Sequence, residues 1–478
     1  MPVVGGWDVV VVGGGAAGCV VAARLSEEPA CSVLLLEAGP DYPAPDMPPE
    51  LVDAIPGPYL ATHDWGLTGR SGERTLNLPR GRVIGGSSTT NGAFALRGAP
   101  ADYDGWAIAG WSWVEVLPSF IALERDLDFP DAAYHGTEGP VPIRRYTGAE
   151  QSAVAAAATE SLVAAGVPAI ADHNAPRALG VSPLPVNAVE GRRMGTALAY
   201  LESARSRPNL TVRGSCPVER VVVIRGRAVG VEVPGGETID ADEVILSAGT
   251  YHSPGLLRAS GVDSPTVGAN LIDHPAVSID LPYHGPRQDL ARFQLVATLH
   301  SSRADPATDP PDLQILSGGP FPRDDPDAPA VFFVGAALLK PRSRGRIGDH
   351  IELNYFDDRD DLARLAEGVA RAEDVVAGAA IRSLTHGERL TPRRSSAELG
   401  EWIQANAWSY HHPVGTCAMG TVVDAQCRVL GVDGLSVVDA SVMPDIPSAN
   451  THLPTIMVAE RVVALRRAAT PTPVGTRR

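Results

Sequence analysis

Apolar positions along this chain change period several times, and each change marks an element. A short apolar run at 8–12 reads as a strand, followed by a glycine turn (VVVVGGGAAG), a helix to about Glu28 and a second apolar run at 32–37. Together these predict a βαβ opening. The stretch 44–79 is rich in proline and reads as irregular cover rather than core. An alanine-rich helix is expected over 152–165. A hairpin is expected over 211–233, turning near Arg225-Gly226-Arg227, before 242–247 returns to the first sheet. From Pro275 to about Arg394 the character changes. Extended apolar pieces at 313–316 and 331–339 precede the alternation of Ile351, Leu353 and Tyr355, which predicts a half-exposed sheet. A helix over 361–384 follows, with Leu362, Leu365, Val369, Ala372, Val376 and Ala379 on one face. The pattern implies a second, antiparallel lobe. No internal repeat is present, and residues 467–478, without apolar periodicity, read as a disordered tail.

Composition narrows the class. At 478 residues the chain exceeds what one core usually supports, so two lobes are expected. The first would combine 1–150, 180–275 and 400–466; the second, 151–179 and 276–399. Apolar residues at 44% and charged residues at 20% are those of an ordinary globular protein. A net charge of -16 opposes nucleic acid and anionic lipid as partners. No apolar run approaches the ~18 residues that span a bilayer, and the first strand starts too early for a signal peptide, so a cytoplasmic location is expected. The cysteines (Cys19, Cys31, Cys216, Cys417, Cys427) are scattered with no CxxC pair, so reduced thiols and no metal site are expected.

The glycine turn is the first chemical signal. Gly13 allows a tight turn, Gly15 lets the backbone approach a pyrophosphate, and Gly18 permits close packing of helix on strand, while the helix N-terminus offers amides to phosphate. Glu37, nineteen residues after Gly18, ends the next strand. A carboxylate there accepts ribose hydroxyls and repels a 2′-phosphate, which favours FAD or NAD over NADP.

Further motifs carry a family resemblance. PRGRVIGGSSTTNGAFALRG (79–98) and GTYHSPGLLRASGV (249–262) are similar to the two signatures of the glucose–methanol–choline (GMC) flavoprotein oxidoreductases. VGANLIDHP (267–275), LLKPRSRGRI (338–347), HPVGTCAMG and VVDASVMPDIPSANT resemble further blocks, so the likeness spans 8–466 and its type is the compact bacterial one. It implies an α/β fold, with a Rossmann-type FAD-binding domain and a smaller α+β substrate domain built on an antiparallel sheet. It implies cofactor contacts from Gly13, Gly15, Ala16, Ala17, Gly18, Glu37 and Ala38, and from the loop containing Arg82, Gly85, Gly86, Ser87, Asn91, Gly92 and Ala93. Val218, Ala248, Gly249, Asp439, Ala440, His452, Pro454 and Thr455 complete the set.

The resemblance further implies oxidation of an alcohol CH–OH group to aldehyde or ketone by hydride transfer to flavin. His412 would be the base and His452 the partner that hydrogen-bonds the developing alkoxide. Electrons would pass to dioxygen, a quinone or another carrier. A reduced mycofactocin-type carrier as substrate, or a hydroxynitrile-lyase-like use of the same fold, are the alternatives. Thr90 stands where relatives with a tethered flavin carry a histidine, which implies non-covalent FAD. His411, beside the base, is either a pocket wall or a surface residue, and His135 and His274 read as structural.

Overall fold

Residues 9–12 are four consecutive valines, an apolar run with no polar face to keep in water, and they lie buried at the centre of the first sheet in strand Trp7–Val12 (β1). The computed structural model describes residues 6–59, 61–262, 264–325 and 327–469. β1 pairs in parallel with Val33–Leu36 (β2) and with Glu237–Leu246. The crossover between β1 and β2 is helix Ala16–Leu25 (α1). Parallel strands require such a crossover and are buried on both faces, hence the unbroken Val and Leu runs. The sheet order is Leu210–Arg213, β2, β1, Glu237–Leu246, Arg227–Val233, Arg220–Ile224, with Leu435–Val437 paired to Glu237–Leu246.

The expected hairpin holds only for its second part. Arg220–Ile224 and Arg227–Val233 pair antiparallel around Arg225 and Gly226, which have φ of 52° and 79°, as a tight two-residue turn demands. Leu210–Arg213 instead joins β2 in parallel, so residues 211–213 belong to the parallel sheet. The cover at 44–79 is less irregular than its prolines suggest, since Thr68–Ser71 and Arg74–Asn77 pair within it.

The second sheet is antiparallel throughout, in the order Trp408–Ser409, Pro275–Tyr283, Ala330–Leu338, Leu313–Phe321, Leu295–Leu299, Gly180–Pro183. Helices Ala153–Ala164 and Arg359–Ala377 cover one face with Val154, Ala158, Leu365 and Val369 in a shared core. The other face looks into a cavity between the lobes rather than into water, so the sheet is less exposed than alternation implies. Gly180–Pro183, placed by sequence with the first lobe, hydrogen-bonds into this second sheet.

Three further expectations change. Ile351, Leu353 and Tyr355 do not form a strand of the large sheet. Only Ile351–Glu352 is extended, paired with Arg346–Ile347 and Thr68–Ser71, because Asn354 and Phe356 take φ of 52° and 68° and bend the chain. The helix over 361–384 is two helices, Arg359–Ala377 and Ala379–Thr385, broken at Gly378. A Cβ there would lie 2.2 Å from the Ser161 hydroxyl oxygen, so the close approach of the alanine-rich helix requires glycine at the break. Residues 467–469 of the expected tail are helical, as the end of helix His452–Ala469, and 470–478 lie outside the described residues. No helix among the described residues is long and apolar enough to cross a membrane, and all five cysteines are free.

Candidate active site

A cavity of about 660 Å³ runs from the glycine turn, between the sheets, to the inner face of the antiparallel sheet. At one end Gly13 has φ of 98°, and Gly15, the N-cap of α1, offers no side chain to cap it. The amides of the first turn, at Ala16 and Ala17, therefore have no intrahelical acceptor and are available to an anion. A Cβ on Gly15 would meet nothing closer than the Ser247 carbonyl at 3.8 Å, so the backbone there faces open space. Glu37 accepts the Gly14 amide at 2.8 Å and the Gly39 amide at 2.7 Å. Burial nevertheless pushes its carboxyl pKa up, against those amides.

The loop at 85–92 closes over this turn. A Cβ on Gly86 would lie 2.8 Å from Gly15 Cα, so the two glycine loops meet backbone to backbone. On the far side Asp439 accepts the Gly249 amide at 2.9 Å and the Ser253 hydroxyl at 2.6 Å, tying the start of helix Gly249–Ala259 to the C-terminal segment. Of the residues expected to meet the cofactor, Gly13, Gly15, Ala16, Ala17, Glu37 and Ala38 line the cavity, as do Gly86, Ser87, Asn91 and Gly92. Val218, Ala248, Gly249, Asp439, Ala440, His452 and Thr455 line it too.

Gly18, Arg82, Gly85, Ala93 and Pro454 do not line it. Gly18 packs on the turn, where a Cβ would lie 1.9 Å from the Gly13 carbonyl oxygen. Gly85 gives its amide to the Gly14 carbonyl at 2.6 Å, Arg82 lies over the Trp65 ring, and Ala93 gives its amide to Asn91. Pro454 is buried in the first turn of the last helix. These residues shape the walls from behind.

His412 is positioned by a two-strand clamp. Ile272 and Val414 exchange amide–carbonyl hydrogen bonds at 3.1 and 2.9 Å, and Tyr410 gives its amide to the His274 carbonyl at 2.9 Å. The clamp places His274 Nδ1 at 3.0 Å from His412 Nδ1. The Asn450 amide group donates to His412 Nε2 at 3.0 Å. Burial holds the His274 pKa down, and its Nε2 has no hydrogen-bond partner among the described residues. With the Asn450 amide donating to Nε2, the proton of neutral His412 sits on Nδ1, facing His274 Nδ1. Asp273 underlies the clamp, accepting the His412 amide at 2.8 Å, the Tyr355 hydroxyl at 2.6 Å and the Ser409 hydroxyl at 2.5 Å.

Electrostatics keeps both candidate imidazoles neutral. Burial, then the neighbouring His274, His411 and Arg80, hold His412 well below the ordinary histidine value, and burial lowers His452 to about 4. His411 takes φ of 65° and lines the cavity, so it is a pocket-wall residue rather than a surface one. His135 does not line it; it bonds to Glu124 at 2.6 Å and Asp172 at 3.0 Å in a buried ionic cluster.

The residues fit a flavin dinucleotide. The turn is uncapped, the cavity is long enough to join both lobes, and buried donors await partners: among the described residues Arg80 Nε and Nη2 have none. Sequence reasoning missed Asn450, Asp273 and Arg80, and read His274 as structural only. The DHP triplet at 273–275, just before a strand, was the available signal.

Comparison with known proteins agrees with this geometry. Residues 7–276 and 341–459 match the N- and C-terminal profiles of the GMC oxidoreductase family. An uncharacterised GMC-type oxidoreductase of Rhodococcus erythropolis is 36% identical, over 96% of this chain and 98% of its own. The 5-(hydroxymethyl)furfural oxidase of Methylovorus sp. (strain MP688) is 34% identical, over 95% of this chain and 98% of its own. The crystal structure of pyridoxine 4-oxidase from Mesorbium loti superposes with a TM-score of 0.88 at 30% identity, covering 97% of this chain and 100% of that one.

Proposed function

From the premise that this chain belongs to the GMC oxidoreductase family, an FAD enzyme acting on CH–OH donors, we propose that it oxidises its alcohol with His412 as base and His452 as alkoxide partner. The observation that carries the reading is the placement of His412 and His452 together on the cavity wall, with His412 Nδ1 at 3.0 Å from His274 Nδ1 and its Nε2 beside the Asn450 amide. Bound FAD supplies the acceptor for the hydride that leaves the carbinol carbon. Gly13, Gly15, Ala16 and Ala17 would hold its pyrophosphate, Glu37 its ribose, and the loop around Asn91 and Gly92 its ring.

As the hydroxyl proton moves to His412 Nε2, the oxygen gains negative charge, and an N–H of neutral His452 hydrogen-bonds it. The C–O bond becomes a carbonyl, the proton stays on His412, and both electrons have left with the hydride. The depressed pKa keeps the base unprotonated through neutral pH. The FAD is held without a covalent bond, and dioxygen or another carrier reoxidises it.

Anaerobic mixing of the purified holoenzyme with alcohols tests the reading. Flavin absorbance should bleach with the wild type. His412→Ala should keep a normal flavin content but bleach ~10²–10⁴-fold more slowly. A wild-type rate in that variant would remove His412 as base, whereas no bleaching by any alcohol would favour lyase-like chemistry.

A further inference from the structure

The half of the cavity away from the glycine turn has a wall of phenyl rings that the backbone is cut to fit. Phe293 stands edge-on to Phe94 and to Phe333, with centroids 5.4 and 6.1 Å apart, and Phe333 stacks parallel to Phe321. Glycines clear the space these rings occupy. A Cβ on Gly57 would lie 2.5 Å from Phe293, and one on Gly318 would lie 2.6 Å from Phe293 and 2.7 Å from Phe333. Phe333 and Ser278 face the cavity from adjacent strands, and Trp408 and Tyr410 line it beside the histidines. Rings fixed in this way present flat π-faces and edges without losing side-chain entropy when a ligand arrives.

The charges weigh against one large class of alcohol. The carboxylates that line the cavity are Glu37, Glu219 and Asp439, all on the first lobe. Glu37 and Asp439 are engaged there by backbone amides. Asp273, nearer the histidines, does not line the cavity and is taken up by Tyr355, Ser409 and the His412 amide. Arg80 adds a positive charge to the lining. Among the described residues no carboxylate faces the histidine end, so a quaternary ammonium there would meet ring faces but no counter-charge.

Resting on the alcohol-oxidation reading, we propose that the substrate is an uncharged planar aromatic alcohol, of benzyl or furanylmethyl type. Its ring seats against the Phe293–Phe333 wall and its hydroxymethyl group reaches His412. The holoenzyme should be mixed anaerobically with benzyl alcohol, cyclohexylmethanol (equal in size but not flat) and choline. Benzyl alcohol should reduce the flavin with a half-saturating concentration about five- to tenfold below that of cyclohexylmethanol, and choline should not reduce it.

Phe333→Leu should raise the value for benzyl alcohol by a similar factor and leave that for cyclohexylmethanol nearly unchanged. Equal use of both alcohols, or saturable reduction by choline, would overturn the proposal. Calorimetric titration of the holoenzyme with benzaldehyde and cyclohexanecarbaldehyde separates the two readings. If no alcohol reduces the flavin, oxidation fails as a reading, but tighter benzaldehyde binding still upholds the aromatic seat and equal binding rejects it.

Discussion

Glu37 braces the glycine turn and, on the proposed reading, would also hold ribose. Each carboxylate oxygen already accepts one backbone amide, from Gly14 and Gly39, and each keeps a second lone pair for a ribose hydroxyl. Glu37→Ala should therefore loosen the turn and remove the ribose contact together, and the variant should purify largely colourless. Stoichiometric FAD in its visible spectrum would reduce Glu37 to a brace for the loop. Thr90 gives a second prediction at this scale. It lines the cavity but has no ring nitrogen to attack an activated flavin methyl group. Acid precipitation should leave a yellow supernatant, and yellow protein in the pellet would reveal an attachment site elsewhere. The place of Glu37 on the cavity was legible from the strand end after the glycine turn, and that of His412 and His452 from the family motifs that contain them. His274 was not: it becomes a partner of His412 through the ladder between Ile272 and Val414, which join segments about 140 residues apart.

At the scale of elements, β1, α1 and β2 were readable because a strand buried on both faces is continuously apolar and a turn shaped for a dinucleotide carries glycine. The failures are also physical. Leu210–Arg213 has a strand's composition, but composition does not say which neighbour it pairs with. The periodicity of 361–384 runs straight through Gly378, whose requirement comes from Ser161 in another helix. Gly18 makes the strand–helix contact testable. Its missing Cβ would sit 1.9 Å from the Gly13 carbonyl oxygen, a backbone atom that cannot rotate aside. Gly18→Ala should push α1 off the turn, lowering stability by roughly 1–3 kcal/mol and weakening FAD retention. Thermal melting and flavin content measure both effects, and an unchanged melting point with full flavin would show that the turn has slack.

Across the whole molecule, the lobes meet at a cavity whose histidines are buried without charge, and this sets the response to acid. Burial lowers His173 and His452 to about 4, and His274 and His411 to about 3; His252 and His412 are lowered as well. In the unfolded chain each returns to about 6.5. Below that pH the unfolded state binds protons that the folded state refuses, so stability present above pH 6.5 is lost as pH falls toward 4, at up to about 1.4 kcal/mol per pH unit for each histidine. His135 acts in the opposite sense: burial disfavours its charge, but hydrogen bonds to Asp172 and Glu124 outweigh burial and raise it, so its stabilisation persists in acid. Six depressed histidines against one raised one leave a net loss. The melting temperature of the holoenzyme should be level above pH 7 and fall steeply from 6.5 to 4.5. His173 isolates the cause, because it lies outside the cavity, bonded to Ser182 and Thr298 at 3.0 Å each. In His173→Gln, chemical denaturation across this pH range should show a slope shallower by up to about 1.4 kcal/mol per pH unit. A slope identical to wild type, or a wild type that loses stability only below pH 5, would assign the acid sensitivity to carboxylates such as Asp172, whose pKa is held at about 2, instead of to the buried imidazoles.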